Sequence, residues 1–206
     1  MRYRNQQGFN LGPVGFLIAI NIILYITTSV RPDFFINLFG LSRSSFLAQP
    51  WTIVTNMFIH DPFPGIAHIL GNMLTLYFFG SYLIQLVGER KFWIVYFAGG
   101  ILGGVFYLLL SPPYSVAIGA SGAIFAVAGA LTVLIPRERV ILFPIPVPIP
   151  LWVAVIGGFL LLSLMPGVAW QAHFGGLLLG LIAGYFFRGR QRGSQSNSHR
   201  WRGREI

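Results

Sequence analysis

The sequence predicts an all-α fold: a polytopic membrane bundle of six transmembrane helices. Three observations lead there. Of the 206 residues only 9% are charged while 55% are hydrophobic, and the mean hydropathy is +0.70. A soluble domain carries about 25% charged residues, so this chain has too few charges to cover a surface facing water. The apolar residues come in long runs, and the basic residues gather between alternate runs. Short connections between most runs favour one compact bundle over several domains.

A spanning helix needs about 20 mainly apolar residues, and six stretches are candidates. The first, Pro13–Val30, follows MRYRNQQGFNLG. It lacks the small-residue cleavage site of a signal peptide, so it is expected to be a retained helix. Residues Arg31 to Pro50 make a long outer loop. Its FFINLFGL and SSFLAQPW are too polar to span and apolar enough to lie partly in the interface. The next three stretches are Ile66–Val87, Phe92–Leu110 and Gly119–Ile135. The fifth, Pro150–Leu164, is short. Before it Pro144, Pro146, Pro148 and Pro150 alternate with apolar residues. Proline lacks an N–H and disfavours helix in the preceding residue, which predicts an extended connector. Pro150 is expected in the first turn of the helix that follows. The sixth stretch, Ala169–Phe187, closes a membrane domain taken as residues 1–187. Residues 188–206 read as a basic, disordered cytoplasmic tail.

Orientation follows from the 14 Lys and Arg residues. With six spans, Arg2, Arg4, Arg90, Lys91, Arg137, Arg139 and the arginines after the sixth helix all fall on one side. Only Arg31 and Arg43 fall on the other. The positive-inside rule then makes both termini cytoplasmic. The net charge of +9 belongs to membrane edges and the tail, where it meets anionic lipid headgroups; nucleic acid is not an expected partner. The absence of cysteine excludes disulfides, a thiolate nucleophile and a Cys-ligated metal.

Polar side chains in the spans carry the chemistry, because an unpaired polar group in lipid costs several kcal/mol and an ionisable one is a functional candidate by default. His68 and Asn72 lie in the first two turns of the second helix. Ser121 lies in the first turn of the fourth, within IGASGAIFA, and His173 about one turn into the sixth. Those three helices all run inward from the outer face. At about 1.5 Å per residue the four side chains sit within roughly 10 Å of their helices' outer ends. They share one depth although they are scattered along the chain.

This set supports acyl transfer. A serine hydroxyl becomes a nucleophile when a base takes its proton, and histidine is the usual base. No acidic residue lies at this depth in the second, fourth or sixth helix, so a Ser121–His173 dyad is implied rather than a triad. The first turn of the fourth helix offers free N–H groups to an oxyanion. Asn72 and His68, four residues apart on one helix face, can donate as well, together with the Ser121 amide. Gly119 and Gly122 flank Ser121 and permit a tight turn and close approach of a substrate backbone. Gly176, Gly180 and Gly184 repeat every four residues after His173, a spacing that packs transmembrane helices closely.

The GASG of Ser121, the H-x-x-x-N of His68 and Asn72, the AHFGGLLLG of His173 and the WTIVTNMFIH that ends at His60 together resemble the rhomboid family over about Trp51 to Tyr185. The resemblance implies a six-helix serine endopeptidase that cleaves transmembrane segments of other proteins near the outer face. Its substrates would be single-pass or polytopic membrane proteins, with membrane lipids as surroundings. Ser121 and His173 would be the dyad, and His68 and Asn72 would line the oxyanion hole. Phe125 would be the aromatic residue that packs on the histidine. No cofactor and no metal are expected. The chain departs from many members in carrying Thr52 after Trp51, where arginine is common, and in the long DPFPGIA between His60 and His68. His60 is expected to be an interfacial loop residue.

Two other classes compete. A non-catalytic rhomboid-like client-binding protein typically lacks the serine or the histidine, and this chain has both. A metal or haem protein using His60, His68 and His173 lacks nearby carboxylates and leaves GASG unexplained. By analogy, the short termini point to a prokaryotic plasma membrane.

Overall fold

A computed structural model describes residues 12–63, 65–141 and 147–202, with side chains up to residue 189 in the last stretch. Arg2, Arg4, Pro144, Pro146 and Arg204 lie outside the described residues or side chains, as does most of the proline-rich connector.

The helices are α1 (Gly12–Val30), α2 (Pro32–Phe39), α3 (Thr52–Thr55), α4 (Ala67–Thr75), α5 (Ser81–Val87), α6 (Glu89–Leu110), α7 (Ser121–Leu134), α8 (Leu151–Ser163) and α9 (Trp170–Arg202). A π-helical turn, Leu76–Gly80, joins α4 to α5, so Ala67–Val87 is one continuous rod. All six expected stretches are helical. Among the described residues three helices are long and apolar enough to cross a membrane: Gly12–Val30, Ala67–Val87 and Glu89–Leu110. The apolar α7 and α8 have 14 and 13 residues. For α7 the length follows from its place. Its Gly122–Thr132 segment is buried except at Phe125, and a helix enclosed by other helices need not present a full bilayer thickness to lipid.

Several boundaries differ from expectation. α6 opens three residues earlier than Phe92, with Glu89 in its first turn, where a carboxylate suits the positive end of the helix dipole. Pro150 precedes α8 as its cap instead of sitting in its first turn. α9 continues past Phe187 to Arg202. No proline interrupts residues 188–202, so the ladder carries on and the expected disordered tail is helical that far. Of the proline-rich connector only its last residues are described, and there β2 (Ile149–Pro150) pairs antiparallel with β1 (Arg139–Val140).

The loop from Arg31 is a built piece of structure. Pro32 opens α2, and Phe34 on it stays exposed. Beyond α2, Leu41 and Ala117 exchange backbone hydrogen bonds of 2.9 and 2.8 Å, and Ser44 N–H donates to the Pro113 carbonyl at 3.0 Å. Trp51 Nε1 donates to the Leu38 carbonyl at 2.9 Å. The bonds to Ala117 and Pro113 pin the loop to the segment that leads into α7, and that of Trp51 ties the start of α3 to α2.

The centre of the molecule is α7 held between α6 and α9. Small residues set the spacing. A Cβ added at Gly176 would run into the backbone of Gly122, one at Gly180 into Ala126, and one at Gly184 into Ala130. Each step advances four residues on both helices, so α7 and α9 run parallel in a locked register, backbone against backbone. On the other side a Cβ at Gly175 would lie 2.8 Å from the Leu102 carbonyl of α6. α9 is wedged between two neighbours at this level, and His173 rides on the wedged end.

Candidate active site

Ser121 is the first residue of α7. The chain enters the helix through Gly119, whose φ of +114° strains any L side chain. A Cβ there would also lie 2.8 Å from His68 Nε2. Gly119 N–H donates to the Asn56 carbonyl at 2.8 Å. The first bond along α7 from its cap runs from Ile124 N–H to the Ala120 carbonyl at 3.0 Å. The N–H groups of Ser121, Gly122 and Ala123 precede it and are the free donors of a helix start. Gly122 has no positive φ, and a Cβ on it would meet the Ala172 carbonyl at 3.2 Å. Its role is close helix packing, while Gly119 alone makes the turn.

His173 lies in the first turn of α9 with its Nε2 2.7 Å from Ser121 Oγ. It is buried, and its ring packs on Phe125 at 4.6 Å between centroids. Phe125 in turn meets Phe159 of α8 edge-on at 6.0 Å. The other ring nitrogen, Nδ1, is buried without a hydrogen-bond partner. Among the described residues no carboxylate reaches His173, so serine and histidine stand as a pair, oriented by ring packing and by the register of α9.

Asn72 is buried in α4 and its Nδ2 is 3.1 Å from both His60 Nε2 and the His68 carbonyl. The His68 side chain is exposed, close over Gly119 and 4.9 Å from the His60 ring. The structure therefore brings Ser121, His173, His68, Asn72, Gly119, Gly122 and Phe125 to one place.

His60 is the correction. Read from sequence as an interfacial loop residue, it is 0% exposed. Its Nε2 faces Asn72 and, at 3.5 Å, the Ala120 N–H. Its Nδ1 lies towards the Phe58 carbonyl without reaching hydrogen-bond geometry. Burial, and then the neighbouring His68, push its pKa down to about 3, so it is a neutral acceptor. Just after the 3-10 turn Asn56–Phe58 the chain buries Ile59 and His60 while Phe63 and Ile66 stay exposed, a division that no local pattern in IHDPFPGIAH reveals. The available signal was its place at the end of WTIVTNMFIH, next to the motif of α4.

Chemically this is a serine hydroxyl in contact with an imidazole, beside N–H donors, at one shared end of apolar helices. Such an arrangement can transfer an acyl group from a peptide bond to serine and then to water.

Comparison with known proteins places the chain in a family. Residues 47–190 match the Rhomboid domain family. The chain is 30% identical over 201 residues to Rhomboid protein 1, mitochondrial, of Saccharomyces cerevisiae, covering 90% of this chain and 57% of that protein. It is 32% identical over 148 residues to Rhomboid protease GluP of Bacillus subtilis, covering 70% of this chain and 28% of that one. It is 30% identical over 192 residues to RHOMBOID-like protein 12, mitochondrial, of Arabidopsis thaliana, covering 82% and 56%. The chain spans little more than half the length of these relatives, or less. Two of the three are named mitochondrial, so the expected prokaryotic plasma membrane gains no support from them. With a family match over most of its length and apolar helices to carry it, the chain is an integral membrane protein and belongs to the rhomboid family.

Proposed function

We propose that this protein is an intramembrane serine endopeptidase that hydrolyses peptide bonds in or near the transmembrane segments of other membrane proteins. The observation that carries the reading is the 2.7 Å contact between His173 Nε2 and Ser121 Oγ. It is supported by relatives named as proteases, GluP and Putative rhomboid protease YdcA, both of Bacillus subtilis.

In the first step Ser121 Oγ attacks the carbonyl carbon of the scissile bond while His173 Nε2 takes the hydroxyl proton. The carbonyl oxygen becomes an oxyanion, bound by Asn72, His68 and the Ser121 amide. Collapse breaks the C–N bond, and His173 returns the proton to the leaving nitrogen. Water, activated by His173, then cleaves the ester and restores the serine. Phe125 holds the imidazole against Ser121. Six spans in residues 1–187 put this site at the outer side, with residues 188–206 a basic tail on the cytoplasmic or equivalent side. Substrate enters between α4 and α8.

The test is labelling by a fluorophosphonate probe in detergent. The expected result is labelling of the wild type that is lost in both Ser121→Ala and His173→Ala. A folded wild type that never labels would point instead to a member that binds membrane clients without cleaving them.

A further inference from the structure

His60 is the buried polar group that the reaction above leaves without a task. It sits on a loop, and yet its ring is enclosed against two elements of the site. On one side is the Asn72 carboxamide at 3.1 Å, on the other the Ala120 N–H at 3.5 Å, both facing the same nitrogen, Nε2. A backbone N–H can only donate, so Nε2 is an acceptor. Asn72 must then turn its NH2 towards His60 and its oxygen away.

This matters because a carboxamide has two nearly isosteric orientations. Its terminal torsion is broad and roughly two-fold, so helix geometry alone does not choose between them. With NH2 on the His60 side, one hydrogen is bound to Nε2. The second faces the His68 carbonyl at 3.1 Å, an acceptor that the α4 ladder also uses. An incoming oxyanion can compete for that second hydrogen, since the His68 carbonyl it would leave keeps its helix bond. With the group flipped, Asn72 would offer an oxygen to developing negative charge and repel it.

We propose that His60 is a positioning residue that fixes the Asn72 carboxamide with its donor towards the oxyanion. The inference rests on the protease reading given above. The contact to Ala120, the residue before Ser121, couples the same imidazole to the start of α7, so one side chain aligns donors contributed by two helices. His60 touches no reacting atom and acts through Asn72.

The experiment is a double-mutant cycle on the full chain in detergent, with His60→Leu, Asn72→Ala and the pair. The readouts are the Ser121-dependent fluorophosphonate labelling rate, kcat and KM on a transmembrane reporter, and the thermal midpoint. Leucine fills the space without an acceptor. We expect His60→Leu to lower kcat about 10- to 100-fold, less than the roughly 100- to 1000-fold cost of removing an oxyanion donor outright, with KM within about twofold. Adding His60→Leu to Asn72→Ala should cost nothing further, because groups acting as a unit are not additive. His60→Gln, which restores an acceptor at similar reach, should recover most of the rate, and the shorter His60→Asn should not. The Gln and Asn pair decides the matter if the Leu variant does not fold. Additive losses in the cycle, or a folded His60→Leu with wild-type kcat, overturn the proposal while leaving the protease reading intact. A wild type without Ser121-dependent labelling removes both.

Discussion

Adding one methyl group to Gly176 tests whether the register of α9 on α7 makes the site. A Cβ at Gly176 falls inside the contact distance of the Gly122 backbone carbonyl, whereas unstrained C···O approaches lie near 3.3 Å. To accommodate the methyl, α9 must move away from α7 by about an ångström or more. It cannot do so freely, because Gly175 is packed against the Leu102 carbonyl of α6, with 2.8 Å from its Cβ position. His173 is three residues from Gly176, about 4.5 Å along the axis, and takes most of the displacement. The 2.7 Å contact to Ser121 then stretches beyond about 3.2 Å, where N···O hydrogen bonds thin out. A misplacement of about 1 Å can cost about 100-fold in rate, and overpacking costs about 1–3 kcal/mol. Gly176→Ala should therefore fold with a lowered thermal midpoint and label with fluorophosphonate about 100-fold more slowly. Gly157→Ala in α8 is the control, since a Cβ there meets nothing within 4 Å. It should keep the wild-type rate and gain about 0.4–1 kcal/mol from the unfolded state. Wild-type labelling by a folded Gly176→Ala would refute the argument that helix packing sets the dyad.

Three further expectations follow from the same geometry. Phe125→Ala removes the ring packed on His173 and should slow turnover about tenfold or more at unchanged KM; restoration by Phe125→Tyr but not by Phe125→Leu in kcat assays would identify the aromatic face as what matters. Gly119→Ala forces a side chain to adopt φ +114° and puts its Cβ 2.8 Å from His68 Nε2; thermal melts should show a loss of about 1–3 kcal/mol, and no loss would contradict the strained turn. Because the chain has no cysteine, Tyr114→Cys and Glu138→Cys give unique labels. An impermeant thiol reagent should reach the first only from the outer face and the second only from the inner, and labelling from one common side would rule out α7 as a span.

Most of the helices, and the polar side chains that the fold brings together, are legible in the sequence. Lipid as a solvent makes the reading easy: long apolar runs have one use there, and any polar group inside them needs a reason. That logic singled out Ser121, His173, His68 and Asn72 and put them at one depth.

Other features could not be read this way. The buried place of His60 is decided in a loop, and a loop carries no periodicity to announce which side chains it buries. The division of labour between Gly119 and Gly122 depends on φ at one residue and on a neighbour's carbonyl at the other. The reach of α9 beyond Phe187 was missed because a change of composition marks the end of the apolar run without breaking the helix.

The sequence by itself determined that this is a membrane protein, where its helices run, and which few side chains could do chemistry. Only the tertiary structure decided that Ser121 and His173 touch, that Asn72 turns its amide to His60, and that α7 is enclosed. The physical reason is that periodicity and solvent preference act along one helix at a time, while contact distances depend on how closely two backbones approach. Here that approach is set by glycines meeting carbonyls on a facing helix, a relation between residues about fifty positions apart.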